Sequence, residues 1–544
     1  MDVKSHCPKV PWMIDFHSNE DGEVFNGQYK AAFASTTYEY LSALNVKSRP
    51  SNFRATKIVC TIPPYITCNT LEELLSIGIS IARITATKPD KVREVMSKVK
   101  TVNECYSRRI GRINPLAVAL EVKGPEIRTG QLKGSNKQLF LEKGKVTSIT
   151  TNPSYEEFVC EDLIYVDYEK LPEIVQPGDK VLLDNGSVTL TAIECVESII
   201  RCIVEKAGML LSNASVIIPN APIDLPLLSP SDKELLDITK GENIDYLFVS
   251  GITGKDSIFE IRDQMGQDCD SVQLVTKIEC ATALEHIDEL IMFSDAICID
   301  CDRLMVELPK EKVFIAQKSI MAKCNLAGKP VISSVIISDL HSISKPEVSD
   351  IANAIIDGAD ALMIAQSACT KDIVKAISVI CKEAEPAVYQ KNILNELSTI
   401  MSTPMEALYG VAIAAVEASF KTNAAAIVCL TSSGRTAKLL ARFRPRCPII
   451  AITRYARVAR QLSLYRGIEA LIYLKPFEGD WQKDVLKRVH LGVTYGKYVG
   501  YIRTADAVIS VTASRPECGM PNTMRILYSS DFDSLPNKRR LADL

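Results

Sequence analysis

The chain has 544 residues, 47% of them hydrophobic and 24% charged, with 25 Gly and 26 Pro. A length roughly three to four times that of an ordinary domain predicts several cores, and the composition excludes disorder, collagen or a coiled coil as the main theme. Sixty-three Lys+Arg against 66 Asp+Glu leave a formal net charge of -3, too weak a field to gather nucleic acid or anionic membrane over a broad surface, so partners must be recognised locally.

The opening MDVKSHCPKVPWMIDF lacks the basic head and apolar stretch of a secretion signal, and no apolar run reaches the roughly 18 residues of a membrane span. A cytoplasmic protein with no membrane and no nucleic-acid partner is therefore expected. Residues 1–50 read as an N-terminal extension and helical arm. Eight short runs rich in Val, Ile, Leu and Ala follow, at 56–62, 79–85, 116–122, 244–250, 273–278, 296–300, 330–336 and 361–365, most of them trailed by a helix-length segment. Near-continuous apolar content suits strands covered on both faces, and eight such β–α units predict a closed (β/α)8 TIM barrel over 51–124 and 225–395.

The third connection is too long for a single helix. About 120 residues between LAVALEV and IDYLFVS alternate strand and turn signals, among them Gln176-Pro-Gly-Asp179 and Asp184-Asn-Gly186. They predict an inserted β-domain over 125–224 that acts as a lid, with Pro219, Pro222 and Pro226 stiffening its return. After Thr403-Pro404, helical segments alternate with AAIVCLT, CPIIAIT, EALIYL and ADAVISVT, the pattern of a C-terminal three-layer α/β domain over 396–530. Residues 531–544 form a tail, and both chain ends are expected to be mobile.

Seventeen cysteines, an odd number scattered through a long chain, predict reduced thiols rather than a disulfide framework. Cys298-Ile-Asp-Cys301 has the C-x-x-C spacing, but without a second pair it is a weak signal for zinc or for redox chemistry. In a barrel, chemistry sits at the carboxyl ends of the strands. The third exit is the densest, because Leu120-Glu-Val-Lys-Gly-Pro-Glu-Ile-Arg-Thr-Gly130 combines cations, carboxylate and glycines suited to phosphate. Near the C-terminus, Thr431, Ser432, Ser433, Gly434, Arg435 and Thr436 lie between a strand and a helix, either as an anion cradle or as plain helix capping.

These segments carry a resemblance. KGPEIRTG at Lys123–Gly130, IDLP at Ile223–Pro226, TKIE at Thr276–Glu279, EKVFIAQK at Glu311–Lys318, CNLAGKPVI, VSDIANAIIDGAD and RPRCPIIAITR make the chain resemble the pyruvate kinases from about Thr37 to Tyr528. The resemblance implies the barrel, lid and C-terminal domain. It also implies glycolytic phosphoryl transfer between phosphoenolpyruvate and ADP, giving pyruvate and ATP, with Mg2+ and K+ as cofactors and a homotetramer as the assembly. By position it places Lys277, Arg83 and Arg128 at the transferred phosphate and Glu279 among the metal carboxylates.

The resemblance marks departures as well. Where the family reads A-R-G-D-L-G, this chain reads Asp300-Cys-Asp-Arg-Leu-Met305, so Arg303 stands at the second metal carboxylate, with Asp302 and Asp300 as the nearest substitutes. A guanidinium about 4 Å from a divalent ion is repelled by up to roughly 8 kcal/mol at an effective dielectric of 20. The expected arrangement is Arg303 paired with Glu279 in the metal's place. The proton-donor threonine of A-T-Q-M aligns with Val335, which has no exchangeable proton, and the potassium-site positions are Thr85, Thr87, Glu121 and Val122, largely altered. The eighth exit, S-G-E-T-A-K-G in the family, reads Ala365-Gln-Ser-Ala-Cys-Thr-Lys371. Strongly impaired turnover is the expectation.

In sugar-bisphosphate-activated members, the loop at 431–436 binds one phosphate of fructose 1,6-bisphosphate, and Trp481 and Arg488 match the pair that binds the other. The last effector loop reads Ala513-Ser-Arg-Pro-Glu-Cys-Gly-Met520 in place of G-W-R-P-G-S-G-F, and Glu517 adds a negative charge. The alternative to a working enzyme is thus a non-catalytic subunit that binds sugar phosphate or assembles with an active paralogue, as a homo-oligomer or a hetero-oligomer.

Overall fold

The computed structural model describes residues 27–533, apart from 29, 86–87, 125, 135–137, 185, 197, 220–224, 240, 267–269, 340, 365–368 and 478. The expectations for residues 1–26, the tail from 534, Thr87, Pro222 and most of the eighth strand exit therefore fall outside the described residues.

Eight parallel strands close on themselves: β1 (Lys57–Ile62), β2 (Ile81–Ile84), β3 (Ala117–Val122), β4 (Tyr246–Val249), β5 (Gln273–Ile278), β6 (Ala296–Ile299), β7 (Val331–Val335) and β8 (Ala361–Ile364). Their order is β1-β8-β7-β6-β5-β4-β3-β2, and the ring shuts where Val59 pairs with Ile81. Every strand lies within two residues of its expected position. Almost every strand position is buried, because one side chain row fills the barrel and the next packs under the helices. Val59, Ile81, Phe248, Val275, Cys298 and Met363 belong to the inner row, whereas Ile58, Leu120, Leu247 and Ile299 face the helical shell.

Between β3 and β4 the chain builds a six-stranded sheet and a separate two-stranded ribbon, Gln138–Leu141 with Gly208–Leu211. Asp184 and Gly186 take φ of 50° and 81°, the left-handed conformation that their turn requires. This β-rich unit has its own core around Ile149, Val181, Leu190 and Ile200. It docks through the KGPEIRTG hinge, where Gly130 is obligatory: a Cβ there would sit 2.1 Å from the Glu156 carbonyl oxygen.

The C-terminal unit is a five-stranded sheet of β9 (Ala426–Leu430), β10 (Ile449–Thr453), β11 (Ile468–Ile472), β12 (Ala507–Thr512) and β13 (Thr523–Tyr528), ordered β11-β10-β9-β12-β13 with β13 antiparallel. It grips the amino-terminal face of the barrel. Asp245, just before β4, takes Arg460 at 2.9 Å, and the Lys57 ammonium that opens β1 donates to the Ile468 carbonyl at 2.6 Å. Asp360, just before β8, takes both arms of Arg444 at 2.6 and 3.1 Å. These contacts leave the carboxyl ends of the strands free for ligands. No helix of the described residues is long and apolar enough to cross a membrane.

One cysteine pair departs from the expectation of reduced thiols. Cys60 in β1 and Cys369 beyond β8 are joined, with Cα atoms 6.1 Å apart, because the chain folds back over adjacent strands. Cys298 and Cys301 are not bonded to each other: Cys298 lies inside the barrel beside the Met363 sulfur, and Cys301 faces the Gln317 side chain.

Arg444 and Asp360 are both buried, so removing the guanidinium strands a carboxylate. Arg444→Ala is expected to cost about 3–5 kcal/mol and to split calorimetric unfolding into separate barrel and C-terminal transitions. A single transition at the native midpoint would show that the contact does not couple the units.

Candidate active site at the carboxyl ends of the strands

The ε-ammonium of Lys277 rises from β5 into a nest of carboxylates. It lies 2.6 Å from Glu279, 3.1 Å from Glu121 at the end of β3 and 3.2 Å from Asp300 after β6. The Ser250 hydroxyl after β4 is 3.3 Å away. Glu279 follows Lys277 by two residues, immediately past the end of β5, and the two side chains meet without help. Burial works to strip the proton from Lys277, but Glu279, Glu121 and Asp300 outweigh it and hold its pKa well above the ordinary lysine range. Glu121 is bound on its other oxygen by Arg83 at 2.7 Å, and Arg83 also donates to Thr61 Oγ1 at 2.7 and 3.1 Å.

A second cluster lies beside the first at the hinge. Arg128 Nη2 meets Glu126 Oε2 at 2.5 Å, and Arg303, in the first turn of the helix Cys301–Glu307, bonds the other oxygen of the same carboxylate. This corrects the expected Arg303–Glu279 pair. Both Glu279 oxygens are already engaged, Oε1 by Lys277 and Ser250 and Oε2 by the Gly251 N–H at 3.3 Å, whereas Glu126 is within reach across the hinge. Asp300 links the clusters, because it caps that helix by accepting the Arg303 N–H while its other oxygen holds Lys277. A cleft opens above them, lined by Thr85, Glu121, Lys123, Glu126, Arg128 and Asp232 among others.

The remaining positions are apolar or peripheral. Val335 ends β7 buried, and Val122 ends β3 fully buried. Ser334, beside Val335, has a buried hydroxyl with no hydrogen-bond partner among the described residues. Sequence reasoning missed Ser250, Thr61 and the pairing role of Glu126. Each stands at a strand exit or in the quoted hinge motif, but their contacts depend on register around the ring.

Two descriptions of known families match this chain: "Pyruvate kinase, barrel domain" over residues 53–373 and "Pyruvate kinase, alpha/beta domain" over 410–527. The chain is 36% identical to pyruvate kinase PKLR of Rattus norvegicus over 517 residues, 92% of this chain and 90% of that protein. It is 31% identical to pyruvate kinase 1 of Trypanosoma brucei brucei over 502 residues, 90% of this chain and 99% of that protein. The chain belongs to the pyruvate kinase family.

Pyruvate kinases generally use Mg2+ and K+, and the side chains here do not fit a divalent ion. Arg303 stands at the position of the second carboxylate and is held by Glu126, so Glu279 lacks the partner with which it would share an ion. Asp300 has both oxygens engaged. Asp302 is pushed up to about 6, first by burial and then by Asp300, so it ionises less readily than an ordinary aspartate. At the potassium positions Glu121 is occupied by two cations and Val122 offers no side-chain donor.

The pyruvate kinase C-terminal unit brings its expected loop together. Thr431 Oγ1 accepts the Gly434 N–H at 2.9 Å, and Gly434 at φ 83° starts the helix Arg435–Arg442. Ser432 and Ser433 are exposed, Thr436 is buried, and Arg435 is drawn to Glu406 at 2.6 Å. Trp481 stacks on Arg488 with the guanidinium 5.5 Å from the ring centroid and donates its indole N–H to the Ala513 carbonyl. Asp484 then ties Arg488 at 2.6 Å to Arg454 at 2.5 Å.

Glu121 supplies a pH-dependent test. Burial raises its pKa, but Arg83 and Lys277 together hold it at about 2, against an ordinary 4.5. A depressed folded-state pKa contributes stability that is complete above pH 4.5 and is lost as the pH falls toward 2. Glu121→Gln is therefore expected to lose about 3 kcal/mol near neutrality and to approach the native protein between about pH 5 and pH 2 in urea titrations. A gap that stays constant with pH would show that the charge on Glu121 is not what stabilises the site.

Proposed function

We propose that this chain is a pyruvate kinase family member whose turnover of phosphoenolpyruvate and ADP is strongly reduced, and whose retained capacity is to bind anionic metabolites and assemble with like subunits. The observation that carries this reading is the closed ion network at the strand ends: Lys277 is saturated by Glu279, Glu121 and Asp300, and Arg303 takes a metal carboxylate's position. Val335 adds the loss of a proton donor where the family carries a threonine. Each missing group costs on the order of a hundredfold in rate, though not additively.

In a lactate dehydrogenase-coupled assay with Mg2+ and K+, turnover is expected roughly a thousandfold or more below that of an active relative. A rate within about tenfold of the relative would end this reading. The double reversion Arg303→Asp with Val335→Thr is expected to raise the rate by about a hundredfold.

The stacked Trp481–Arg488 pair and the open Thr431–Gly434 turn support a second, compatible reading, retained fructose 1,6-bisphosphate binding. Because Arg488 is tied to Asp484 and Glu517 adds charge nearby in sequence, the affinity is expected to be weak, with heat of binding in the calorimeter at millimolar ligand abolished by Arg488→Ala. Silence at that concentration would remove the effector role. Exposed Phe314 and Ile315 on one barrel helix, and Ile526 and Tyr528 on the edge strand β13, support assembly into a homo-oligomer or with a paralogue, a cytoplasmic tetramer in the family's manner. Light scattering of the chain alone and mixed with an active relative measures this.

A further inference from the structure

Resting on the reading above, we propose that the cleft binds small oxyanions, carboxylate or phosphate, without a divalent cation, and that the paired guanidiniums of Arg128 and Arg303 are the site. Three observations lead there. The first is charge. An arginine where the family carries an aspartate sets a second guanidinium beside Arg128, so the hinge side of the cleft offers two cations to an anion. The charges divide by partner: Lys277 lies among Glu121, Glu279 and Asp300, with Arg83 on Glu121, while Arg128 and Arg303 share Glu126, with Asp167 also acting on Arg128 and Glu307 on Arg303.

The second is geometry. One carboxylate holds both guanidiniums, one on each oxygen, and so fixes them at the separation an oxyanion needs to be bound by both. Glu126 and Arg128 line the open cleft and the Arg303 side chain behind them is 25% exposed, so an incoming anion meets Arg128 from the cleft and Arg303 in place of the carboxylate it displaces. Glu126 is the placeholder that such an anion displaces.

The third is what blocks the alternative. A metal-bridged anion would need Glu279 as a ligand, but Lys277, Ser250 and the Gly251 N–H already satisfy both of its oxygens. The second carboxylate that such an ion would need is replaced by Arg303. No covalent step is involved, since the anion exchanges with Glu126 as a hydrogen-bonded partner.

The test is calorimetry of the full chain with oxalate and, separately, inorganic phosphate, each in EDTA and in excess Mg2+. At least one anion is expected to bind in EDTA with an affinity that Mg2+ changes by less than about twofold. Arg303→Ala is expected to weaken binding by about tenfold or more, and Glu126→Gln, which removes the internal competitor, to tighten it by about tenfold. Arg303→Lys keeps the charge without the fork and guards against a folding artefact, with weaker binding that is still metal-independent. Arg303→Asp is expected to make binding depend on Mg2+. The proposal is overturned if neither anion binds in EDTA, if the native protein binds only with Mg2+, or if Arg303→Ala binds as the native chain does. Those outcomes leave low turnover untouched, whereas ordinary turnover would remove the impaired-enzyme reading without deciding whether binding needs metal.

Discussion

A buried ammonium surrounded by three carboxylates sets the terms for the upper face of this barrel. Lys277 comes from β5, Glu121 from β3 and Asp300 from the turn after β6, and they converge only because the parallel register brings those strand ends level. Taking these charges out of water is costly, and the mutual attraction repays it only while all are present. Arg83 extends the same constraint to β2 and, through Thr61, to β1, since the Thr61 hydroxyl donates in turn to the Ile364 carbonyl of β8. A chain of polar contacts thus joins β6, β5, β3, β2, β1 and β8. Any ligand that claims Lys277 or Arg83 has to compete with partners that also hold the ring together.

The opposite face bears a different load. Asp245 and Asp360 stand at the starts of their strands, each with a backbone N–H of the neighbouring strand on it, Val118 and Val331, as well as an arginine of the C-terminal unit. Each aspartate fixes strand register and domain docking at once. Residues there serve packing and assembly, whereas the carboxyl ends serve ligands. This division explains how RPRCPIIAITR can match the family closely while the strand exits do not: Arg444 of that segment is an anchor with no part in ligand binding.

The same division governs how much could be read from sequence. The barrel strands were legible because burial on both faces leaves runs such as AVALEV and AICI, and the Gly-rich hinge was legible by its charge density. The partner of Arg303 was not. Glu126 lies 177 residues away in sequence, and pairing it with Arg303 requires the hinge and the helix after β6 to meet across the barrel mouth. The expectation that Arg303 would take Glu279 failed for a local reason, because Lys277 reaches Glu279 just past the end of its own strand and leaves it no open oxygen. Alignment identified which position had changed charge but not where the new charge would go.

The cleft and the C-terminal unit share one device at different depths. In each, a single carboxylate spans two guanidiniums: Glu126 between Arg128 and Arg303, and Asp484 between Arg454 and Arg488. Such a bridge keeps the arginines from repelling each other and preorganises them, but an incoming anion must break it. The cost of breaking it rises with burial, since a displaced carboxylate must be rehydrated or left unpaired. The Glu126 side chain is 21% exposed and can swing into the open cleft, whereas the Asp484 side chain is 2% exposed and has no water to turn to. The bridge in the cleft is therefore a replaceable placeholder. The one in the C-terminal unit is closer to a structural part, and an anion bound by Arg488 there would have to share it with Asp484.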